Sequence, residues 1–187
     1  MSQPQREAMT PAEFLAWEEK QELKWEFDGF QPVAMTGGTD AHAAIQGNLI
    51  TALNVQLRGK PCYPRGLDIK VEIGLKYRYP DAFVSCTPVA RGATIAADPV
   101  VIFEVLSEST AKNDRTTKLM EYRSLPSVQR YVMLEQDQAL ATVITRVGTG
   151  WSLEVLDANG TLSMPEIDAE IAMAELYDGL ELTPLDL

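Results

Sequence analysis

The sequence predicts a mixed α/β fold, with helices packed on a central mixed β-sheet, and three observations carry that expectation. Ile45, Leu49, Leu53 and Leu57 recur at about one helical turn and mark the apolar face of a long helix. Val100-Val101-Ile102-Phe103-Glu104-Val105-Leu106 is a nearly continuous apolar run, the pattern of a central strand covered on both faces. A helical stretch and a further apolar strand follow it, an order that favours a parallel strand pair. With 187 residues and 45% hydrophobic content, residues 1–187 are the size of one domain with one substantial core.

Thr10-Pro11-Ala12-Glu13 places a capping residue before proline at the first helical position and Glu at the third, so a short helix begins there and ends near Lys20. Trp25 and Phe27 flank Glu26, Asp28-Gly29 is a turn signal, and Phe30 to Met35 completes a hairpin with Glu26 on its first strand. Gly37-Gly38-Thr39-Asp40 is the loop and cap that open the long helix, and Gly59 and Pro61 stop it. Leu67, Ile69, Val71 and Ile73 alternate with Asp68, Lys70 and Glu72, the period of a half-buried strand. Tyr79 to Cys86 reads as a second strand after Gly74 to Arg78, in the same sheet. After the central run, a helix spans about Lys112 to Ser124, closed by Pro126, and Val128 to Leu134 is the strand expected to lie parallel. Leu140 to Val147 and Trp151 to Leu156 form a hairpin, and Ile167 to Tyr177 includes a last short helix.

Composition narrows the chemistry. The longest apolar stretches are far shorter than the roughly 20 residues that span a bilayer, and MSQPQREAMT has no hydrophobic signal core, so a soluble, cytoplasmic protein without a membrane partner is expected. Cys62 and Cys86 are too few for a disulfide framework or a Cys-rich zinc site, and free thiols in a reducing compartment are the simplest reading. With His42 as the single histidine, soft-metal chemistry is disfavoured, whereas 27 Asp and Glu residues offer the oxygen ligands that Mg²⁺ prefers. A net charge of -11 opposes non-specific attachment to a phosphate backbone, although a local groove of Lys and Arg can act within an acidic whole.

Glu104 is the most informative residue. An ionised carboxylate buried in such a strand costs several kcal/mol unless a cation or donor compensates it. A core Lys or Arg, the strand's solvent end, or a metal would each do so. Asp81 follows Pro80 at the entry to the preceding strand, so strand pairing places it beside Glu104. Two adjacent carboxylates repel, and a divalent cation relieves them. Alone, a Pro-Asp pair is more often a turn.

Tyr79-Pro80-Asp81, then Glu104-Val105-Leu106-Ser107, then Asp114, Lys118 and Tyr122 in DRTTKLMEYRSLPSVQRYVML, together with Glu26 in KWEFDGF and His42 on the next helix, resemble the Uma-two family of the PD-(D/E)xK nuclease superfamily over about residues 9–178. The resemblance implies a restriction-endonuclease-like core. It also implies a Mg²⁺-dependent endonuclease acting on DNA, with Mn²⁺ as a substitute, and a metal site of Asp81, Glu104 and Glu26. The superfamily places lysine two residues after the second acid, where this chain has Leu106, so the catalytic cation is expected from Lys118, with Lys70 as a second candidate. A solvated Lys118 paired with Asp114 is the competing account. His42 is a candidate general base or phosphate donor and Tyr122 a candidate wall of the cleft, though a capping histidine and a core aromatic are the plainer readings. The missing lysine and the acidic charge also fit a binding or assembly module that keeps the fold without turnover. RNA or a branched substrate stays open, and cutting two strands would suit a homodimer.

Overall fold

The structure, a computed structural model, describes residues 8–35, 37–66, 68–96 and 98–182. Helix α1 (Pro11–Glu18) starts as the capping box requires. The Thr10 hydroxyl accepts from Glu13 N at 3.2 Å, and the Glu13 carboxylate accepts from Thr10 N at 2.8 Å. Strands β1 (Trp25–Phe27) and β2 (Pro32–Ala34) form the expected hairpin, in which Asp28 Oδ1 accepts from Phe30 N and Gln31 N while Gly29 takes φ +94°. Helix α2 (Asp40–Gln56) is capped by Thr39 and buries Ile45, Leu49 and Leu53.

Strands β3 (Tyr63–Gly66), β4 (Lys70–Ile73), β5 (Lys76–Arg78), β6 (Ala82–Ser85), β7 (Ile95–Ala96) and β8 (Pro99–Val105) follow. A continuous helical run then covers α3 (Ala111–Asn113), one π turn (Asp114–Lys118) and α4 (Leu119–Ser124). Strands β9 (Arg130–Leu134), β10 (Ala141–Val147), β11 (Gly150–Leu156), β12 (Thr161–Met164) and β13 (Ala169–Ala172) lead to α5 (Met173–Leu176). One sheet has the order β2-β1-β5-β4-β7, a second β11-β10-β9-β8-β6-β3, and β12 pairs with β13.

In the six-stranded sheet β8 runs antiparallel to β6 and parallel to β9, so the sheet is mixed and the expected parallel pair is present. Successive β8 side chains point to opposite faces. Val101, Phe103 and Val105 join the core under α2 and α5, whereas Ile102 joins the core beneath Tyr122 of α4. By the same alternation Glu104 faces α4. That single parity sets where the chemistry lies.

Three expectations are corrected. The strand around residues 67–73 is shorter, since β4 begins at Lys70, and Leu67 lies outside the described residues. The segment Gly74 to Arg78 is half of a hairpin: Gly74 at φ +62° turns β4 into β5, and the chain crosses to the other sheet through Tyr79-Pro80-Asp81. β4 and β6 therefore belong to different sheets, because Pro80 cannot donate to a ladder and the crossing occurs there. Finally, Cys62 and Cys86 are joined in a disulfide, not free. The register Tyr63↔Ser85 makes them cross-strand neighbours just beyond β3 and β6, a proximity that their separation of 24 residues conceals. Around the last helix, Ala169–Ala172 is strand, with helix only at Met173–Leu176. No helix among the described residues is long and apolar enough to cross a membrane.

Candidate active site

Glu104, buried on the α4 face of β8, meets two donors from the helical run. Its Oε1 accepts from Lys118 Nζ at 3.1 Å and from Tyr122 Oη at 2.9 Å. Lys118 ends the π turn, and such turns insert an extra residue into a helix, often where function constrains the side chains. Its ammonium also lies 3.2 Å from Glu26 Oε1 on β1 and 3.2 Å from Asp114 Oδ1. Three carboxylates from three elements thus surround one buried cation. Asp114 Oδ1 is a buried oxygen that receives no hydrogen bond, despite its proximity to that ammonium.

Asp81 stands one residue before the Ala82↔Phe103 pair, next to Glu104 at the end of the β6–β8 ladder. Its Oδ2 accepts from Val105 N at 2.7 Å, so the carboxylate occupies a place a backbone carbonyl would fill had the ladder continued. His42 Nε2, in the first turn of α2, lies 3.2 Å from the same oxygen, and Gln46 Nε2 donates to the Asp81 backbone carbonyl at 2.7 Å. Helix α2 therefore fixes Asp81 from one side and β8 from the other.

The electrostatics follow from crowding like charges in a dry place. Burial pushes the Glu104 carboxyl well above the usual range; Lys118 opposes that shift, and Asp81, Asp114 and Glu26 add to it. Burial alone would lower the Lys118 ammonium, but Glu104, Glu26 and Asp114 outweigh it and hold the group above its ordinary value. His42 is raised by its hydrogen bond to Asp81, against burial. Burial raises the Tyr122 hydroxyl, which stays a donor.

Of the residues singled out in the sequence, Lys118, Glu104 and Glu26 come together directly, Asp81 adjoins Glu104, and His42 and Tyr122 each touch one of the two acids. Glu26, expected as a third metal ligand, is engaged by other donors. Its Oε1 accepts from Tyr79 N at 3.2 Å and its Oε2 from Arg78 Nη1 at 3.2 Å, besides the Lys118 contact. Among the described residues no three His, Cys, Asp or Glu side chains converge as a metal-holding group. Of the three acids, Asp81 and Glu104 are the two that adjoin each other across the β6–β8 pairing. Lys70 is elsewhere, buried against Glu18 at 2.7 Å and Tyr79 Oη at 3.0 Å, and Leu106 is core.

The pair fits a hard divalent cation. Neither Asp81 Oδ1 nor Glu104 Oε2 takes a hydrogen bond from a described residue, and the cluster carries more buried negative charge than its cations balance. Mg²⁺ commonly binds through one or two carboxylates and keeps several waters.

Sequence reasoning missed Arg78 and Glu121. Arg78 Nε and Nη2 lie 2.7 and 2.9 Å from the two oxygens of Glu121, a bidentate pair, and Lys76 Nζ lies 2.7 Å from Glu121 Oε1. The available signal was spacing: Glu121 follows Lys118 at a helical i+3 position, and Lys76 and Arg78 share one face of a strand.

The sequence model of Uma2, described as "Putative restriction endonuclease", matches residues 11–174. The chain is 31% identical over 176 residues to the uncharacterized protein slr1290 of Synechocystis, covering 92% of this chain and 93% of that one. It is 27% identical over 133 residues to the uncharacterized protein sll1609 of the same organism, covering 68% and 75%. The crystal structure of a putative nuclease belonging to DUF820 from Anabaena variabilis matches with a TM-score of 0.73 and 18% identity, over 90% of this chain and 97% of that chain, and so shares the fold.

Proposed function

The chain belongs to the Uma2 family, described as "Putative restriction endonuclease", and from that membership we propose that it is a Mg²⁺-dependent endonuclease that hydrolyses phosphodiester bonds of DNA. One observation carries the reading. Lys118 and Tyr122 both donate to Glu104 Oε1, while Glu104 Oε2 and the neighbouring Asp81 Oδ1 take no hydrogen bond from a described residue.

Asp81 and Glu104 would hold the metal, which when bound supplies positive charge at the phosphate and lowers the pKa of a coordinated water. Lys118 would take the part of the superfamily's lysine, carried on the helical run instead of two positions after Glu104. Its ammonium stays protonated among three acids and offers charge-assisted donors to the phosphate oxygen on which negative charge develops. Glu26 and Asp114 set its position, and Tyr122 holds the Glu104 rotamer. His42, charged more readily beside Asp81, is placed to donate to a phosphate oxygen at the N-terminus of α2.

The test is calorimetric titration of Mn²⁺ into wild type and into Asp81→Ala/Glu104→Ala, followed by incubation of plasmid DNA with Mg²⁺. Wild type should bind and nick or linearise the plasmid, and the double variant should do neither. Absence of binding in wild type, or cleavage that persists without Glu104, overturns the reading; binding without cleavage of DNA or RNA leaves a metal-binding module.

A further inference from the structure

We infer that Arg78 is a positioning residue for Lys118, acting through Glu26, and that Glu121 in turn fixes Arg78. The inference rests on the endonuclease reading for the purpose of Lys118, though not for its placement.

Arg78 ends β5 and is buried, and its guanidinium is used on two sides. The Nε and Nη2 edge grips both oxygens of Glu121 on α4, and Nη1 reaches Glu26 Oε2 at 3.2 Å. Glu26 is thereby a bridge between two cations, with Arg78 on one oxygen and Lys118 on the other. Lys118 divides itself among Glu104 at 3.1 Å, Glu26 at 3.2 Å and Asp114 at 3.2 Å, distances so alike that a modest change in any partner's demand would move the ammonium. Removing Arg78 would leave Glu26 buried with Lys118 as its only cation among the described residues. An unpaired buried carboxylate draws the nearest ammonium strongly, so Lys118 would leave Glu104 for Glu26.

The residue type supports the assignment. Gripping Glu121 with one edge while directing a third N–H at Glu26 needs a rigid planar fork, which a lysine's point charge cannot reproduce. The plainer role, tying α4 to β5, is served by the same contacts. It makes no demand on Lys118, and this separates the two accounts.

The protein carries its own reference. Lys70 is a second buried ammonium, held by Glu18 and Tyr79 and not in contact with Arg78. In the ¹⁵N-labelled full chain, both ion-paired side-chain NH₃⁺ groups should exchange slowly enough to give ¹H–¹⁵N signals, assigned by their loss in Lys70→Met and Lys118→Met. In Arg78→Met the Lys118 signal should shift or broaden away while the Lys70 signal stays. Arg78→Lys should restore it only in part, and Glu121→Gln should shift it less than Arg78→Met does. Metal-dependent cleavage should fall by about 10–100-fold in Arg78→Met, as small misplacements of a reacting group do, with Mn²⁺ binding retained. An unmoved Lys118 signal in folded Arg78→Met overturns the inference; should that variant not fold, an unmoved signal in Glu121→Gln does so. If wild type cleaves nothing, the endonuclease reading fails, while the Lys118 signal still decides what Arg78 does.

Discussion

Lys70 and Lys118 are buried to nearly the same degree, with side chains 7% and 8% exposed, yet they sit in opposite electrostatic settings. Lys70 closes a triangle: its ammonium contacts Glu18 and the Tyr79 hydroxyl, and that hydroxyl donates to the other Glu18 oxygen at 2.6 Å. One positive charge meets one negative charge. Lys118 meets three carboxylates, and the nearby Arg78 is matched by Glu121, so the negative charge is in excess. A balanced buried pair asks for nothing more. An unbalanced one asks for a proton or a metal, which is why burial of a lysine alone says little about chemistry and the charge balance around it says more.

The largest expected contrast is in cleavage. Lys118→Met should lower Mg²⁺-dependent plasmid cleavage by about 10²–10³-fold, the usual effect of losing one preorganised donor at a developing charge, whereas Lys70→Met should leave the rate within a few fold wherever it is folded. Equal losses in the two variants would erase the distinction between the clusters.

Stability should separate them the other way. Lys70→Met strands Glu18 in the core and is expected to cost about 3–5 kcal/mol in urea unfolding, with no relief from divalent ions. Lys118→Met also strands acids, but there Mn²⁺ can replace part of the lost charge, and ligand linkage at about a hundred times its dissociation constant returns about 2.7 kcal/mol. If Mn²⁺ stabilises both variants equally, the excess of charge around Lys118 has been misread.

pH sharpens the same contrast. Burial holds the Glu104 carboxyl well above the usual 4.5, so the folded protein binds that proton more tightly than the unfolded chain does. Its contribution to stability is present at low pH and is lost as pH rises through the raised value. Metal binding needs the proton gone, so Mn²⁺ affinity should climb with pH across that range, by up to about tenfold per unit for one displaced proton. At the Lys70 triangle burial raises the Tyr79 hydroxyl, so that hydroxyl stays a donor across the same range. A flat Mn²⁺ affinity would place the binding site away from Glu104.

The two clusters also show what a sequence can reveal. Strand β8, the face of α2 and the parallel strand β9 were legible because each rests on local periodicity. Glu104 stood out for the same reason, as a charge in a run of apolar residues. The sequence ranks Lys118 ahead of Lys70 only through the family resemblance, because the physical difference between them lies in partners brought from β1, β8 and α1. The disulfide, the split of β4 and β6 between sheets and the bridging place of Arg78 share that character: each depends on pairing between distant segments, and no local pattern records it.

The smallest expected effect tests whether the two clusters are independent. Glu18 reaches Lys70 from the last turn of α1, a helix that begins at the Thr10 and Glu13 capping box. Thr10→Ala removes the cap and should cost about 1 kcal/mol, felt mainly where α1 meets the sheet. The Glu13 carboxyl lies below its usual value because it accepts from Thr10, first from the backbone N–H and then from the hydroxyl. A depressed carboxyl contributes its stability above the unfolded pKa and loses it as pH falls through the folded one. The gap between wild type and Glu13→Gln should therefore be full at neutral pH and close in acid. Mn²⁺ affinity should stay unchanged in both variants, since α1 supplies nothing to Glu104, Asp81 or Lys118. A weakened metal site in Thr10→Ala would mean that α1 holds β1, and with it Glu26, more tightly than the contacts of Lys70 indicate.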